Sequence, residues 1–153
     1  MIYKTWEVAA AVLYFHRTCH YDELAGIVRR TGLCKLDSPN DTNHNTIHSR
    51  MSEREDVFDQ LGGGEFSLNR HFDISNKLDA RRILLEDLFP VYRKEYDDLL
   101  VSLCKPMPEF SHPVLASQNF WLADRRKDKA RCNFLHETFQ RLIALFESDV
   151  NGA

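Results

Sequence analysis

The chain lacks several features that would place it in a specialised class. No run of about eighteen apolar residues occurs, and the segment MIYKTWE lacks the basic-then-apolar layout of a signal peptide. The four cysteines are widely spaced, without a CxxC pair, which favours reduced thiols over a disulfide framework. We therefore expect a cytoplasmic protein with no membrane partner and no structural cross-links.

Motifs of common enzymes are missing too. There is no GxSxG and no GxxxxGK[ST], and no helix pattern follows Gly62–Gly64, which argues for a turn and against a phosphate loop. Metal-binding residue types recur four apart at His16 with His20, His44 with His48, and Cys132 with His136. None of these pairs has a further ligand nearby in the sequence. The sequence predicts a protein that is not an enzyme and holds neither metal nor cofactor.

A strong charge of one sign is also absent. The net charge is -3, with 8 Lys+Arg against 10 Asp+Glu in residues 1–72 and 12 against 13 in residues 73–153. Phosphate binding scales with the cations presented, so a near-neutral chain needs clustered cations or two copies acting together. The hydrophobic share of 43% and the charged share of 28% are those of a globular protein.

The first two helices are predicted from apolar spacing and turn residues. Apolar residues recur at helical spacing from Trp6 to Leu13, which predicts a helix from Thr5 to about His16. A second helix is predicted to begin with Asp22 as its cap and to end at Gly32.

A polar helix and a hairpin follow. The third helix is predicted from Thr42 to about Arg54, with only Ile47 and Met51 as a narrow buried edge. Gly62–Gly64 supplies the positive φ angles of a tight turn between two short strands. We expect a helix this polar to bind a partner through its exposed side.

Together the segments TWEVAAAVL, HYDEL, NTIHSRMS and FDQLGGGEFSLN resemble the HARE-HTH domain, a winged helix-turn-helix found in certain chromatin proteins, RNA polymerase delta subunits and restriction endonucleases. The resemblance covers about the first 70 residues. It implies a winged helix over residues 1–72, with Ile47 and Met51 as anchors of the third helix. It departs from the family in its acidic wing region, which contains Glu53, Asp59 and Glu65 among other carboxylates.

The predicted partner is double-stranded DNA, because the third helix carries residue types that bond base edges and phosphates. The expected DNA-contacting residues are Asn45, Thr46, His48, Ser49, Arg50 and Arg54 around the third helix, Gly63 and Gly64 in the hairpin, and Arg125, Arg126 and Lys129 in a basic cluster of the second half. A solvated helix face is the competing interpretation of both polar segments.

Residues 73–153 form a predicted all-α half. Helical spacing covers Ile74 to Leu103 with a break at Phe89-Pro90, and a last helix is predicted from Asp124 to about Ser148. Apolar residues in this last helix alternate spacings of three and four: Cys132, Leu135, Phe139, Leu142 and Phe146, with Ile143 beside them. This seam predicts either packing within the chain or a homodimer through the C-terminal helix.

The resulting fold class is α+β and mostly helical, with a winged helix-turn-helix followed by helices. The expected function is non-catalytic binding of double-stranded DNA, as a regulator or as the targeting subunit of a defence or restriction system. Two alternatives remain open. One is a protein interaction adaptor that docks through its acidic wing. The other is a non-catalytic subunit of a nucleic-acid enzyme.

Overall fold

The computed structural model describes residues 3–34, 43–76, 79–108 and 115–147, and the side chains of residues 43–46 and 115–117 lie outside that description. The chain is mostly helical with one small antiparallel sheet, which confirms the α+β class. It divides into two compact units, Met1–Leu88 and Phe89–Ala153.

The first unit begins with two helices joined by a short strand. These are α1 (Thr5–Tyr14), β1 (Cys19–His20) and α2 (Tyr21–Thr31). The cap of α2 differs from the prediction: His20 precedes the helix, and its Nδ1 accepts a hydrogen bond from the backbone N–H of Asp22 at 3.1 Å. Because α2 starts one residue before Asp22, that side chain lies inside the first turn. Gly32 ends α2 in the left-handed conformation, as predicted.

A third helix and a hairpin follow. Helix α3 spans Asn43–Ser52, and strands β2 (Phe58–Gly62) and β3 (Glu65–Leu68) form the hairpin. The sheet order is β1-β3-β2, so the strand before α2 pairs with the returning strand of the hairpin. All three glycines of the turn have positive φ, between +63° and +91°. The predicted hairpin is therefore confirmed, with a bulge between Gln60 and Gly62.

Residues beyond the hairpin still belong to the first unit. A 3-10 turn (Ile74–Asn76) and a π-helical segment (Arg82–Leu88) follow β3. Ile74 and Ile83 line an apolar crevice together with Trp6 of α1, and the Tyr3 hydroxyl donates to Asp87 at 3.3 Å. The boundary between the compact units thus lies after Leu88, later than the predicted boundary after residue 72, because apolar side chains of this segment complete the core around α1.

The second unit consists of two long helices, α4 (Phe89–Leu103) and α5 (Leu115–Leu145). At the predicted break Phe89-Pro90 the backbone stays helical but changes type, since the π-helical segment ends at Leu88 and α4 begins at Phe89. The last helix also begins earlier than the predicted Asp124. The seam of α5 is buried as the heptad pattern predicts, with Leu135 and Leu142 fully buried, whereas Ile143 is 46% exposed.

Packing within the chain therefore uses the seam that could have formed a dimer. Phe139 of α5 lies edge-on to Phe89 at 5.1 Å and to Tyr96 at 5.5 Å between ring centroids. The guanidinium of Arg131 donates to both carboxylate oxygens of Glu95, at 3.2 and 3.0 Å. Helices α4 and α5 thus hold together through aromatic contacts and a bidentate ion pair.

Candidate nucleic-acid interface

Helix α3 has one buried and one exposed side. Ile47 and Met51 are 0% and 1% exposed, which confirms them as the anchors of the helix. Ser49 and Arg50 are exposed, and the Arg50 guanidinium is 4.0 Å from the Glu53 carboxylate. An exposed ion pair of this length is weak and exchanges readily with solvent or a phosphate. Two of the predicted contact residues therefore lie on an accessible surface.

Asn45 and Thr46 occupy the first half of α3, but their side chains lie outside the described residues. Only their place in the helix is established. Both are on the turn that precedes Ser49 and Arg50, so the helical backbone brings the four positions onto neighbouring turns.

His48 does not belong to the exposed side. Its ring lies edge-on to Tyr21 of α2 at 4.8 Å and to Phe66 of β3 at 5.6 Å between centroids. Its Nδ1 is 3.5 Å from the Ser52 hydroxyl on the next turn. The side chain follows buried Ile47 and packs α3 against the hairpin, and its contact with DNA stays a prediction.

Arg54 is also turned inward. It follows α3, and its guanidinium carbon lies 4.0 Å from the centre of the Trp6 ring on α1. The Nε atom is 3.3 Å from the Asp56 carboxylate. A cation held against an aromatic face and an acid stabilises the turn into β2. The contact of Arg54 with DNA stays a prediction.

The two glycines predicted to contact DNA have different surroundings. Gly63 is exposed at the hairpin tip, with no atom within 4 Å of the position that a Cβ would take. Gly64 lies beneath His20 and Tyr21, and its carbonyl accepts the Tyr21 N–H at 3.0 Å. Gly63 therefore remains available, whereas Gly64 serves the packing of the turn on α2.

The charge around α3 and the hairpin is acidic. Residues 43–76 contain three arginines against six carboxylates, a net charge of 3 - 6 = -3. Two of these carboxylates, Glu53 and Asp56, lie within 4.0 Å of arginines, and Asp59 accepts a hydrogen bond from Asn69 at 3.0 Å. The exposed tip itself, from Gln60 to Gly63, carries no charge. A phosphate backbone would therefore meet a neutral tip with acidic flanks.

The basic cluster of the second half is partly used within its own unit. Arg125 donates to the carbonyls of Leu103 and Lys105 at 2.6 and 2.9 Å, so it caps the end of α4 and is not a free phosphate ligand. The last carbonyls of a helix have no partner within the helix, and Arg125 supplies one, so its contact with DNA stays a prediction. Arg126 and Lys129 are exposed on α5. They lie in the second compact unit.

Within the described residues the structure has neither a candidate metal cluster nor a membrane-spanning helix. No group of three His, Cys, Asp or Glu side chains there could hold a metal ion. No described helix is both long and apolar enough to span a bilayer. All four cysteines are free thiols. Burial of the Cys19 thiol, assisted by the nearby carboxylates of Glu23 and Glu65, raises its pKa to about 12, so it is a poor nucleophile at neutral pH.

Sequence reasoning missed the side chains that join α3 to the hairpin. Tyr21 and Phe66 hold His48 between them, and Trp6 holds Arg54. The contributing residues come from separate elements, so no local spacing reveals the contacts. The adjacent aromatic rings of His20 and Tyr21 before α2 were the sequence signal for this packing, and in the structure they stack at 4.5 Å beside the hairpin turn.

Comparisons of the chain with protein families, curated proteins and solved structures give no match.

Proposed function

We propose that the first unit is a winged helix that binds double-stranded DNA, and that the chain itself is not an enzyme. It acts in the cytoplasm as a regulator or as the targeting subunit of a defence or restriction system. Two features support the proposal: the motifs that resemble the HARE-HTH domain, and the element order α1-β1-α2-α3-β2-β3 with β1 paired to the hairpin.

One observation carries the proposal, namely that a polar helix is fixed on its inner side and left open on its outer side. Ile47 and Met51 bury the inner side, and the His48 ring packs against Phe66 of the hairpin. Ser49 and Arg50 remain exposed. A helix that presents short polar side chains and an arginine on a rigid base suits the major groove of B-DNA, which admits one α-helix.

In this mechanism α3 lies in the major groove and Arg50 bonds the O6 and N7 atoms of a guanine. Gly63, without a side chain, lets the backbone of the hairpin tip approach the duplex closely. Residues 43–76 carry a net charge of -3, so few counterions are released on binding. We therefore expect a single chain to bind weakly and to gain affinity when two copies occupy adjacent half-sites.

The first test is a titration of random-sequence and selected duplexes at low and moderate salt. Arg50→Ala should weaken binding to the selected site by about 1 to 3 kcal/mol and relax the base preference at one position. Arg93→Ala is the matched control, since it removes the same charge from an exposed ion pair on α4. An Arg50→Ala isotherm that coincides with that of the unaltered chain contradicts the proposed contact.

Selection of bound duplexes from a random pool is the second test. An enriched sequence would support DNA binding, and its symmetry would give the number of half-sites. A pool that stays random at every salt concentration, together with no binding at low salt, contradicts the proposal.

The acidity around α3 favours a second candidate, a protein interaction adaptor. The net charge of -3 over residues 43–76 attracts a basic protein surface and repels phosphate. An adaptor should show no association with duplexes at low salt, where a DNA-binding protein shows its strongest binding. Co-purification followed by mass spectrometry would then identify the partner, including the catalytic subunit of a nucleic-acid enzyme.

A further inference from the structure

The outward side of α4 carries a second, solvent-exposed stripe. The inner side of the helix packs on α5, with Tyr92 only 6% exposed. The opposite side presents Val91, Lys94, Asp98 and Val101, at successive spacings of three, four and three. These spacings place the four residues on one face of a helix. The two valines are 60% and 62% exposed, and the side chains of Lys94 and Asp98 are 78% and 67% exposed.

Two copies of this stripe are complementary to each other when their helices run in opposite directions. The positions are symmetric about residue 96, so that Val91 mirrors Val101 and Lys94 mirrors Asp98. In an antiparallel pair of α4 helices, each valine faces a valine of the second copy and each lysine faces an aspartate. In a parallel pair, lysine faces lysine and aspartate faces aspartate, which is repulsive. The charge order therefore selects the antiparallel arrangement.

We propose that the outward face of α4 pairs with α4 of a second copy of the chain in an antiparallel, two-fold arrangement. A two-fold interface requires that residue i of one copy meets residue j of the other and the reverse, and this stripe meets that requirement. The α5 seam is already buried inside the chain, so the dimer uses α4 and not the C-terminal helix. The inference stands on the second unit alone and does not depend on DNA binding.

The size of the stripe sets the strength of the dimer. Helix α4 has 15 residues, and two exposed valines per copy offer far less apolar area than a standard interface of roughly 800 Å² per partner. The Lys94 and Asp98 side chains also form an ion pair within the helix at 2.8 Å, which becomes a cluster of four alternating charges in the dimer. We expect a reversible, concentration-dependent dimer that added salt weakens.

Charge reversal gives a sharp test by sedimentation velocity of the full chain over a concentration series. Lys94→Asp puts two carboxylates on each stripe and Asp98→Lys puts two ammonium groups there, so each variant alone should be monomeric. An equal mixture of the two variants restores both facing pairs and should dimerise at least as well as the unaltered chain. Arg93→Asp is the matched control, because it reverses a charge in the neighbouring ion pair outside the stripe and should leave the dimer in place.

Several outcomes would overturn the inference: an unaltered chain that stays monomeric at all concentrations, a charge-reversed variant that still dimerises alone, or a mixture that stays monomeric. Circular dichroism checks that the variants retain their helices. If a reversal disturbs folding, Lys94→Gln and Asp98→Asn replace it, and each should raise the concentration needed for dimerisation severalfold. Unchanged self-association of both neutral variants would count equally against the α4 face.

Discussion

A Cβ atom added to Gly64 would lie 2.5 Å from Nε2 of His20, and it would also lie 2.9 Å from the Tyr21 ring. The hairpin turn is therefore pressed against the start of α2, where only a residue without a side chain fits. Gly63, one residue earlier, has a similar left-handed φ and open space around it. Substitution of the two glycines therefore separates the effect of left-handed backbone strain from the effect of a steric clash with His20 and Tyr21.

This pair of glycines gives the first prediction. Gly63→Ala should reduce the free energy of unfolding by about 1 kcal/mol, since it adds only left-handed backbone strain. Gly64→Ala should reduce it by about 3 kcal/mol, because overpacking against His20 and Tyr21 adds to the same strain. Urea unfolding of both variants measures the difference. Equal losses for the two variants would contradict the close contact.

The second prediction separates two arginines near the end of α3. Arg54→Ala should lower the free energy of unfolding by about 1 to 2 kcal/mol, because the guanidinium lies 4.0 Å from the Trp6 ring centre and its stem packs there. Arg50→Ala should change stability by less than about 0.5 kcal/mol, since the side chain is exposed. Thermal unfolding and duplex binding should rank the two variants in opposite orders. A stable Arg54→Ala chain with weakened duplex binding would return Arg54 to the interface.

The elements of the first unit could be predicted because their signals are local. Helical spacing of apolar residues gave α1 and α3, Gly32 gave the end of α2, and the three-glycine run gave the hairpin. The α5 seam could also be predicted from the sequence, since spacings of three and four define one face of a helix without knowledge of its partner. The boundary between the two units could not be predicted in this way, because the place of Ile83 beside Trp6 in the apolar crevice depends on tertiary packing.

Which polar side chains are exposed and which pack within the fold could not be predicted in the same way. His48 and Arg50 are two residues apart on one helix, yet only Arg50 is exposed, because Tyr21 and Phe66 close over the histidine. Arg125 and Arg126 are adjacent, yet only Arg125 reaches the end of α4. Residue type identified the candidates, but distant elements decided which of them are engaged within the fold.

That second contrast provides the third prediction. Arg125→Ala should reduce stability by about 1 to 2 kcal/mol, because two carbonyls at the end of α4 lose charged hydrogen-bond donors. Arg126→Ala removes the same charge from an exposed position and should cost less than about 0.5 kcal/mol. Hydrogen exchange of the α4 C-terminal amides should speed up in the first variant alone. Identical exchange in both variants would exclude Arg125 as the cap.

Cys19 makes the stability of the chain depend on alkaline pH. Its pKa is raised to about 12 by burial and by Glu23 and Glu65, whereas a thiol in the unfolded chain titrates near its ordinary pKa of 9.0. Between these values the unfolded state has lost the proton that the folded state keeps, so the free energy of unfolding falls as pH rises from about 9 to about 12. Below pH 9 the full contribution is present.

Cys19→Ala should make the stability of the chain less steeply dependent on pH between about 9 and about 12, as urea titrations at a series of pH values would measure. Cys104→Ala is the matched control, because it makes the same substitution at an exposed thiol. Equal slopes in the unaltered chain and in Cys19→Ala would show that the Cys19 thiol titrates alike in both states.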